Sequence, residues 1–237
     1  MPRRGGNPPV PVLERRRAGV GMDECKKMAR NEFGARRKAL DPALRMRGGE
    51  TIRRLITGLP EYRAARHISL YASDGLEPEL RPLLGDRSKC FWFPRYDAAE
   101  RAYCFARVNA PGELTAGKYG LPEPPAAAER APESVRRREM LHLVPGVAYD
   151  GRGTRLGRGG GFYDRLLADV TSPVCGVFFA CQKAAALPRA AHDRPLDMAV
   201  TELGVERFVR ADGAGYDGKS ARPGGPGGAQ VERNTDK

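Results

Sequence analysis

Arg155 and Arg158 flank Gly157, and Gly159, Gly160 and Gly161 follow directly. Glycines let a backbone approach a ligand closely and take positive φ, so consecutive amides can turn toward an anion. Two guanidinium groups add full charge in a planar fork that suits phosphate oxygens. Phe162 through Leu167 then reads as the start of a helix, whose N-terminal end adds a further positive field. The chemistry these residue types serve is phosphate binding. Two common phosphate motifs are absent. The run has no Gly-Lys-Ser/Thr ending, and Phe162 stands where a dinucleotide-binding GxGxxG needs its third glycine.

Other residues have spacing that suits chemistry but also has ordinary explanations. Asp164 lies at the expected helix start, where a carboxylate complements the dipole. Beside a bound phosphate the same carboxylate calls for a cation, and Mg2+ takes one or two carboxylates plus phosphate oxygens and water. Lys26 and Arg30 are four apart and share one helical face, as solvated pairs also do. Glu77 follows an apolar strand and a short turn, beside Pro78. Tyr163 offers an aromatic body and a phenol where loop becomes helix, or simple packing. His67 and His142 fall in expected strands and read as structural, and no Ser-His-Asp arrangement is supported.

The run from Arg155 to Arg165, preceded by Leu143-Val144-Pro145-Gly146-Val147-Ala148, closely resembles the signature of 5-formyltetrahydrofolate cyclo-ligases, also called 5,10-methenyltetrahydrofolate synthetases. Supporting segments are residues 26–30, 68–77 and 117–124, and His192-Asp193, all in the expected order. The resemblance spans roughly residues 24–203.

It implies a cytoplasmic ligase of folate and one-carbon metabolism. With ATP and Mg2+, such an enzyme converts 5-formyltetrahydrofolate to 5,10-methenyltetrahydrofolate, ADP and phosphate. Its nucleotide site would comprise Lys26, Arg30, Arg155, Leu156, Gly157, Arg158, Gly159, Gly160, Gly161, Phe162 and Tyr163. Arg158 and Tyr163 are the catalytic candidates. Glu77 would anchor the folate with Ala72 lining the same pocket, and Asp164 and Asp193 would hold the metal. Three positions depart from the family pattern. Phe162 replaces one of two tyrosines, Gly160 stands where some members have lysine, and Met140 replaces an aspartate before the LVPG strand. The alternative is a non-catalytic member of the same superfamily that binds nucleotide or RNA.

The elements that must position these residues alternate along the chain. Helices are expected over residues 23–40, with Asp23 as N-cap, and 43–59. Strands are expected over 67–72, 89–93, 101–108, 140–144 and 174–180, with helices at 78–84 and 162–170. Residues 122–132 read as a proline- and alanine-rich loop. Continuous apolar strands between helices predict an α/β fold, a three-layer sandwich around a mostly parallel sheet. Ligands in such folds bind beyond the carboxyl ends of the strands, so the turns toward Glu77 and toward Arg155 should face one crevice.

Composition sets the outer limits. The 237 residues, 41% hydrophobic and 30% charged, suit one sizeable globular domain. That domain is expected over residues 23–210, between a disordered basic arm at 1–22 and a disordered glycine-rich tail at 211–237. The net charge of +12 divides into +4 in the arm, zero in the tail and +8 between them. Such a bias suits anionic ligands. Aromatic residues do not interleave with a basic stripe, which argues against nucleic acid. No apolar run is long enough to span a bilayer. Five cysteines without metal-ligand spacing point to a reducing compartment, and a monomer is expected.

Overall fold

A computed structural model describes residues 21–118, 120–191 and 193–209. The expected arm up to residue 20, the tail at 211–237 and His192 lie outside the described residues. The chain opens with α1 (Met22–Ala39), α2 (Pro42–Gly58) and the short α3 (Pro60–Ala64). β1 (His67–Ser69), β2 (Cys90–Asp97) and β3 (Ala102–Val108) follow. Two short strands, β4 (Thr115–Ala116) and β5 (Pro122–Glu123), precede β6 (Met140–Val144). Next come β7 (Ala148–Asp150), β8 (Arg155–Leu156) and α4 (Phe162–Leu166). β9 (Val174–Val177), β10 (Lys183–Ala184), β11 (Met198–Thr201) and β12 (Gly204–Arg207) complete the order.

Local chemistry sets the helix ends. Asp41 caps α2 by accepting from the amides of Ala43 and Leu44, and Pro42 suits the first helical position because its missing N–H would have no partner there. The N-cap expected of Asp23 is not made. Gly21 holds that position without a side-chain bond, and Asp23 sits in the first turn, where its charge complements the dipole. Residues 78–84 form no α-helix; a 3₁₀ turn spans Arg81–Gly85 instead. α4 is also shorter than expected. Beyond Leu166 the amides of Ala168 and Val170 bond to carbonyls three residues back, which tightens and ends the helix.

The main sheet has the order β12-β11-β9-β6-β1-β2-β3. The pairs among β11, β9, β6, β1 and β2 are parallel, and the two outer pairs are antiparallel. The sheet is mostly parallel, as expected. β6 shows why: every residue is buried, and neighbours along it serve opposite faces. Leu141 and Leu143 pack with Ile52, Ile56 and Leu59 of α2 and its end, whereas Met140 and Val144 pack with Leu166 and Leu167. Truncating Leu143 to alanine in that fully buried layer would cost roughly 2–5 kcal/mol.

α1 does not cover the main sheet. Its Ala29 and Phe33 pack on Val147, Ala148, Leu156 and Ala184, in a small sheet of order β10-β7-β8. That arrangement puts α1 over the segment leading into the glycine run. The main sheet reverses direction beside β1: β2 lies on one side and β6 on the other. A crevice at the carboxyl ends of such neighbours is the usual ligand position in an open α/β sheet. No helix among the described residues is long and apolar enough to cross a membrane.

Candidate functional site

The chain leaving β1 and the chain leaving β6 line one cleft of about 720 Å³. Tyr71, Ala72 and Glu77 come from the first, and Pro145 and Gly146 from the second. Lys26 and Arg30 reach it from α1, the run from Arg155 to Asp164 forms another wall, and Asp193 closes the rim. Every residue singled out in the sequence for nucleotide, folate or metal therefore borders this cleft.

Arg155 is not on an exposed loop. It lies in β8 opposite Tyr149, its side chain is buried, and its Nη2 donates to Asp164 Oδ1 at 2.9 Å. Leu156, beside it in β8, is buried against α1. Arg30 Nε donates to the carbonyl of Gly157 at 2.9 Å, tying α1 to the start of the glycine run. Two glycines there have conformations that L side chains rarely adopt, Gly159 at φ 105° and Gly161 at φ 63°. A Cβ at Gly159 would also meet the Arg30 guanidinium. α4 has only five residues, so the cationic side chains, rather than a long helix dipole, give this wall its positive character.

Phe162 packs edge-on against Tyr103 with ring centres 4.9 Å apart, and the Tyr103 hydroxyl donates to Glu123 at 3.1 Å. The Arg155 guanidinium lies 5.4 Å from the centre of the Tyr163 ring. Burial pushes the Tyr163 phenol above its ordinary range and the charge of Glu77 adds to that, so it stays a proton-bearing donor.

Glu77 is held by charge from two directions. Arg37 Nη1 donates to its Oε1 at 3.2 Å, and Arg158 Nη2 donates to the same oxygen at 3.0 Å. Both guanidiniums also pair with Asp74, Arg37 at 3.0 Å. Gly75, at φ 83°, makes the turn that brings Asp74 and Glu77 together. Burial pushes the Glu77 carboxyl above its ordinary range, reinforced by Asp74 and opposed by Arg158 and Arg37.

The two carboxylates expected to hold a metal sit apart in their pairings. Asp164 accepts from Arg155, and Asp193 accepts from Lys26 Nζ at 2.6 Å. Among the described residues no group of three or more metal-ligating side chains forms a cage. A Mg2+ shared with phosphates requires only one or two carboxylates, and both aspartates border the cleft. The donor chemistry fits such an ion.

Arg36, next along α1, does not reach the cleft and pairs with Glu32 at 2.6 Å. Arg37 makes the contact with Glu77. Its position seven residues after Arg30, two helical turns on, was the signal available. Asp74 and Tyr103 were also missed. Asp74 reads as a turn residue in Ser73-Asp74-Gly75, and Tyr103 as an ordinary strand aromatic. His67 and His142 are structural: His67 accepts from Trp92 Nε1 at 3.1 Å, and His142 contacts Ser69 and the Arg136 carbonyl.

A doubly covered, mostly parallel sheet with a basic, glycine-walled cleft beside its reversal point defines an α/β protein built for an anionic ligand. Residues 22–202 match the 5-formyltetrahydrofolate cyclo-ligase family, and the chain belongs to it. The 5-formyltetrahydrofolate cyclo-ligase of Mus musculus is 25% identical over 201 residues, covering 78% of this chain and 97% of the mouse protein. That of Mycolicibacterium smegmatis is 41% identical over 85 residues, a match spanning 35% of this chain and 43% of the mycobacterial protein. The NMR structure of Aquifex aeolicus 5,10-methenyltetrahydrofolate synthetase is similar with a TM-score of 0.69 at 33% identity. It covers 78% of this chain and 93% of that one.

Proposed function

We propose that the cleft closes 5-formyltetrahydrofolate to 5,10-methenyltetrahydrofolate at the expense of ATP, releasing ADP and phosphate. The observation that carries this reading is the meeting, in one cleft, of a buried carboxylate at Glu77 with the arginine- and glycine-rich wall. Family membership supports the same reaction.

The chemical problem is that a formyl oxygen on nitrogen is a poor leaving group. Attack of that oxygen on the γ-phosphorus forms an O–P bond and breaks the bond to ADP. The N10 nitrogen then attacks the activated formyl carbon, the C–O bond breaks, and phosphate departs with the N10 proton. Nothing in this sequence requires a covalent nucleophile from the protein. Its share is position and charge. Lys26, Arg30, Arg158 and the glycine run would hold the phosphates, while the buried Arg155 fixes Asp164 and the Tyr163 ring. Tyr163, kept protonated, would donate to an oxygen carrying developing charge. Glu77 would accept from the aminopyrimidine edge of the pterin, with Ala72 beside it. Asp164 and Asp193 would hold Mg2+, which supplies charge neutralisation at the phosphates.

The odd number of cysteines, without metal-ligand spacing, suits a reducing compartment, which we read as cytoplasmic. The comparisons give no support to the non-catalytic, nucleotide- or RNA-binding alternative. The deciding experiment mixes protein, Mg2+-ATP and 5-formyltetrahydrofolate and follows methenyl-folate absorbance. An absorbance rise that needs both substrates is expected, and its absence overturns the reading.

A further inference from the structure

We infer that Arg37 is the positioning residue for Glu77, holding that carboxylate in place while Arg158 turns to the nucleotide; this rests on the cyclo-ligase reading above. The two guanidiniums on Glu77 differ in one respect that decides their roles. The Arg158 side chain is 48% exposed, whereas that of Arg37 is 8% exposed. Arg158 sits on the glycine-rich wall, where phosphates would arrive. A guanidinium shared between a carboxylate and an incoming polyphosphate is drawn toward the greater negative charge. Once Arg158 moves, Arg37 is the cation left on Glu77.

The geometry of Arg37 suits a fixed support. It lies on the buried stripe of α1 with Ala29 and Phe33, so the helix backbone sets its height above the cleft. One arm of its guanidinium reaches Glu77 Oε1 and the other reaches Asp74 Oδ2. Asp74 is itself fixed, because its Oδ1 accepts from the Leu76 amide at 2.9 Å. The second oxygen of Glu77 takes only a long bond, 3.3 Å from the Asp74 amide. A carboxylate gripped on one oxygen and lightly held on the other can present the second to a donor pair on a ligand. Arg37 does not line the cleft in which substrate and phosphate would lie. It acts through Glu77.

The test is a double-mutant cycle read in Michaelis constants. Arg37→Gln and Arg37→Lys are made in the unaltered chain and in Glu77→Gln, and KM for 5-formyltetrahydrofolate and for ATP is measured in each, with a thermal melt to confirm folding. Arg37→Gln alone should raise the folate KM about tenfold or more, with the ATP KM within about twofold. Lysine, which keeps the charge but not the two-armed grip, should give a smaller rise. In the Glu77→Gln background the Arg37 change should add little, since the group it positions is gone. Equal effects on both Michaelis constants, or full additivity with Glu77→Gln, would overturn the assignment. If Arg37→Gln fails to fold, Arg37→Lys is judged in the same two backgrounds by the same criteria. Loss of folate-dependent turnover in the unaltered chain would instead sink the reaction proposed above.

Discussion

Arg158 Nη2 donates to Glu77 Oε1 at 3.0 Å across 81 residues of sequence. A residue assigned to phosphate thus touches the residue assigned to folate, and the two halves of the cleft meet at this ion pair. On the proposed roles, binding of either ligand would disturb the contact, so the pair would report on both.

Arg158→Ala should lower kcat/KM for ATP about ten- to a hundred-fold, because one charge-assisted phosphate contact contributes roughly 1.5–3 kcal/mol. The melting temperature should hardly move, since Arg158 is half exposed and Arg37 still neutralises Glu77. Steady-state kinetics with ATP varied provide the check, and unchanged constants would remove Arg158 from the phosphate site.

Acid should weaken folate use before it weakens ATP use. Burial and the neighbouring Asp74 raise the Glu77 carboxyl above the ordinary value of 4.5, so it takes up a proton at a higher pH than an exposed glutamate. In the proposed role it is the ionised form that would accept from the pterin. Hence kcat/KM for 5-formyltetrahydrofolate should fall as pH drops, with a midpoint above 4.5. Glu77→Gln should erase that limb and raise the folate KM by about tenfold, a mispairing cost in the range of 1–3 kcal/mol. A limb that survives in Glu77→Gln belongs to another group.

Asp164→Asn has two readouts because Asp164 has two neighbours. The amide is a poorer ligand for a hard cation, so the Mg2+ concentration for half-maximal activity should rise. The buried Arg155 also loses its ionic partner at 2.9 Å, which should lower stability by roughly 1–3 kcal/mol. Asp193→Asn leaves the Arg155 pair intact but weakens the Lys26 pair at 2.6 Å, so it should show the metal effect with any stability loss traceable to Lys26 rather than Arg155. Magnesium titrations and denaturant melts on both variants separate the two contributions.

Legibility in the sequence followed length and burial. β6 and β9 announced themselves because each is a short apolar run, broken only by His142 in β6, of the kind that lies inside a parallel sheet. β7, β8 and β10 did not: with two or three residues each they carry no readable period, and β10 joins β7 from a distant part of the chain. That small sheet moves Arg155 from an expected loop into a buried strand. β2 was expected to stop before Pro94 but continues to Asp97. Its pairing with β1 ends at Trp92, so the proline falls where the strand has lost that neighbour. The glycine and arginine positions of the site were legible from residue type alone. The grip of Arg37 and Asp74 on Glu77 was not, because it depends on how α1 lies against the turn after β1.

The final prediction concerns stability and a histidine outside the cleft. His142 is fully buried in β6, with Nε2 2.8 Å from the Arg136 carbonyl and Nδ1 3.2 Å from Ser69 Oγ. Those partners suit a neutral ring with its proton on Nε2, donating to the carbonyl and accepting from the hydroxyl. Burial, opposed by the bond to the Arg136 carbonyl and helped by the charges of Arg136 and Arg194, lowers its pKa from 6.5 to about 4. The unfolded chain therefore binds a proton below 6.5 that the folded chain refuses until about 4. The stability contribution is present in full above that window and declines as pH falls through it, by about 1.4 kcal/mol per unit and roughly 3 kcal/mol in all. His142→Gln can keep a donor and an acceptor but cannot titrate, so it should flatten the dependence by close to one proton. Urea unfolding of both proteins at several pH values across the window measures the difference, and equal slopes would show that His142 is not the group responsible.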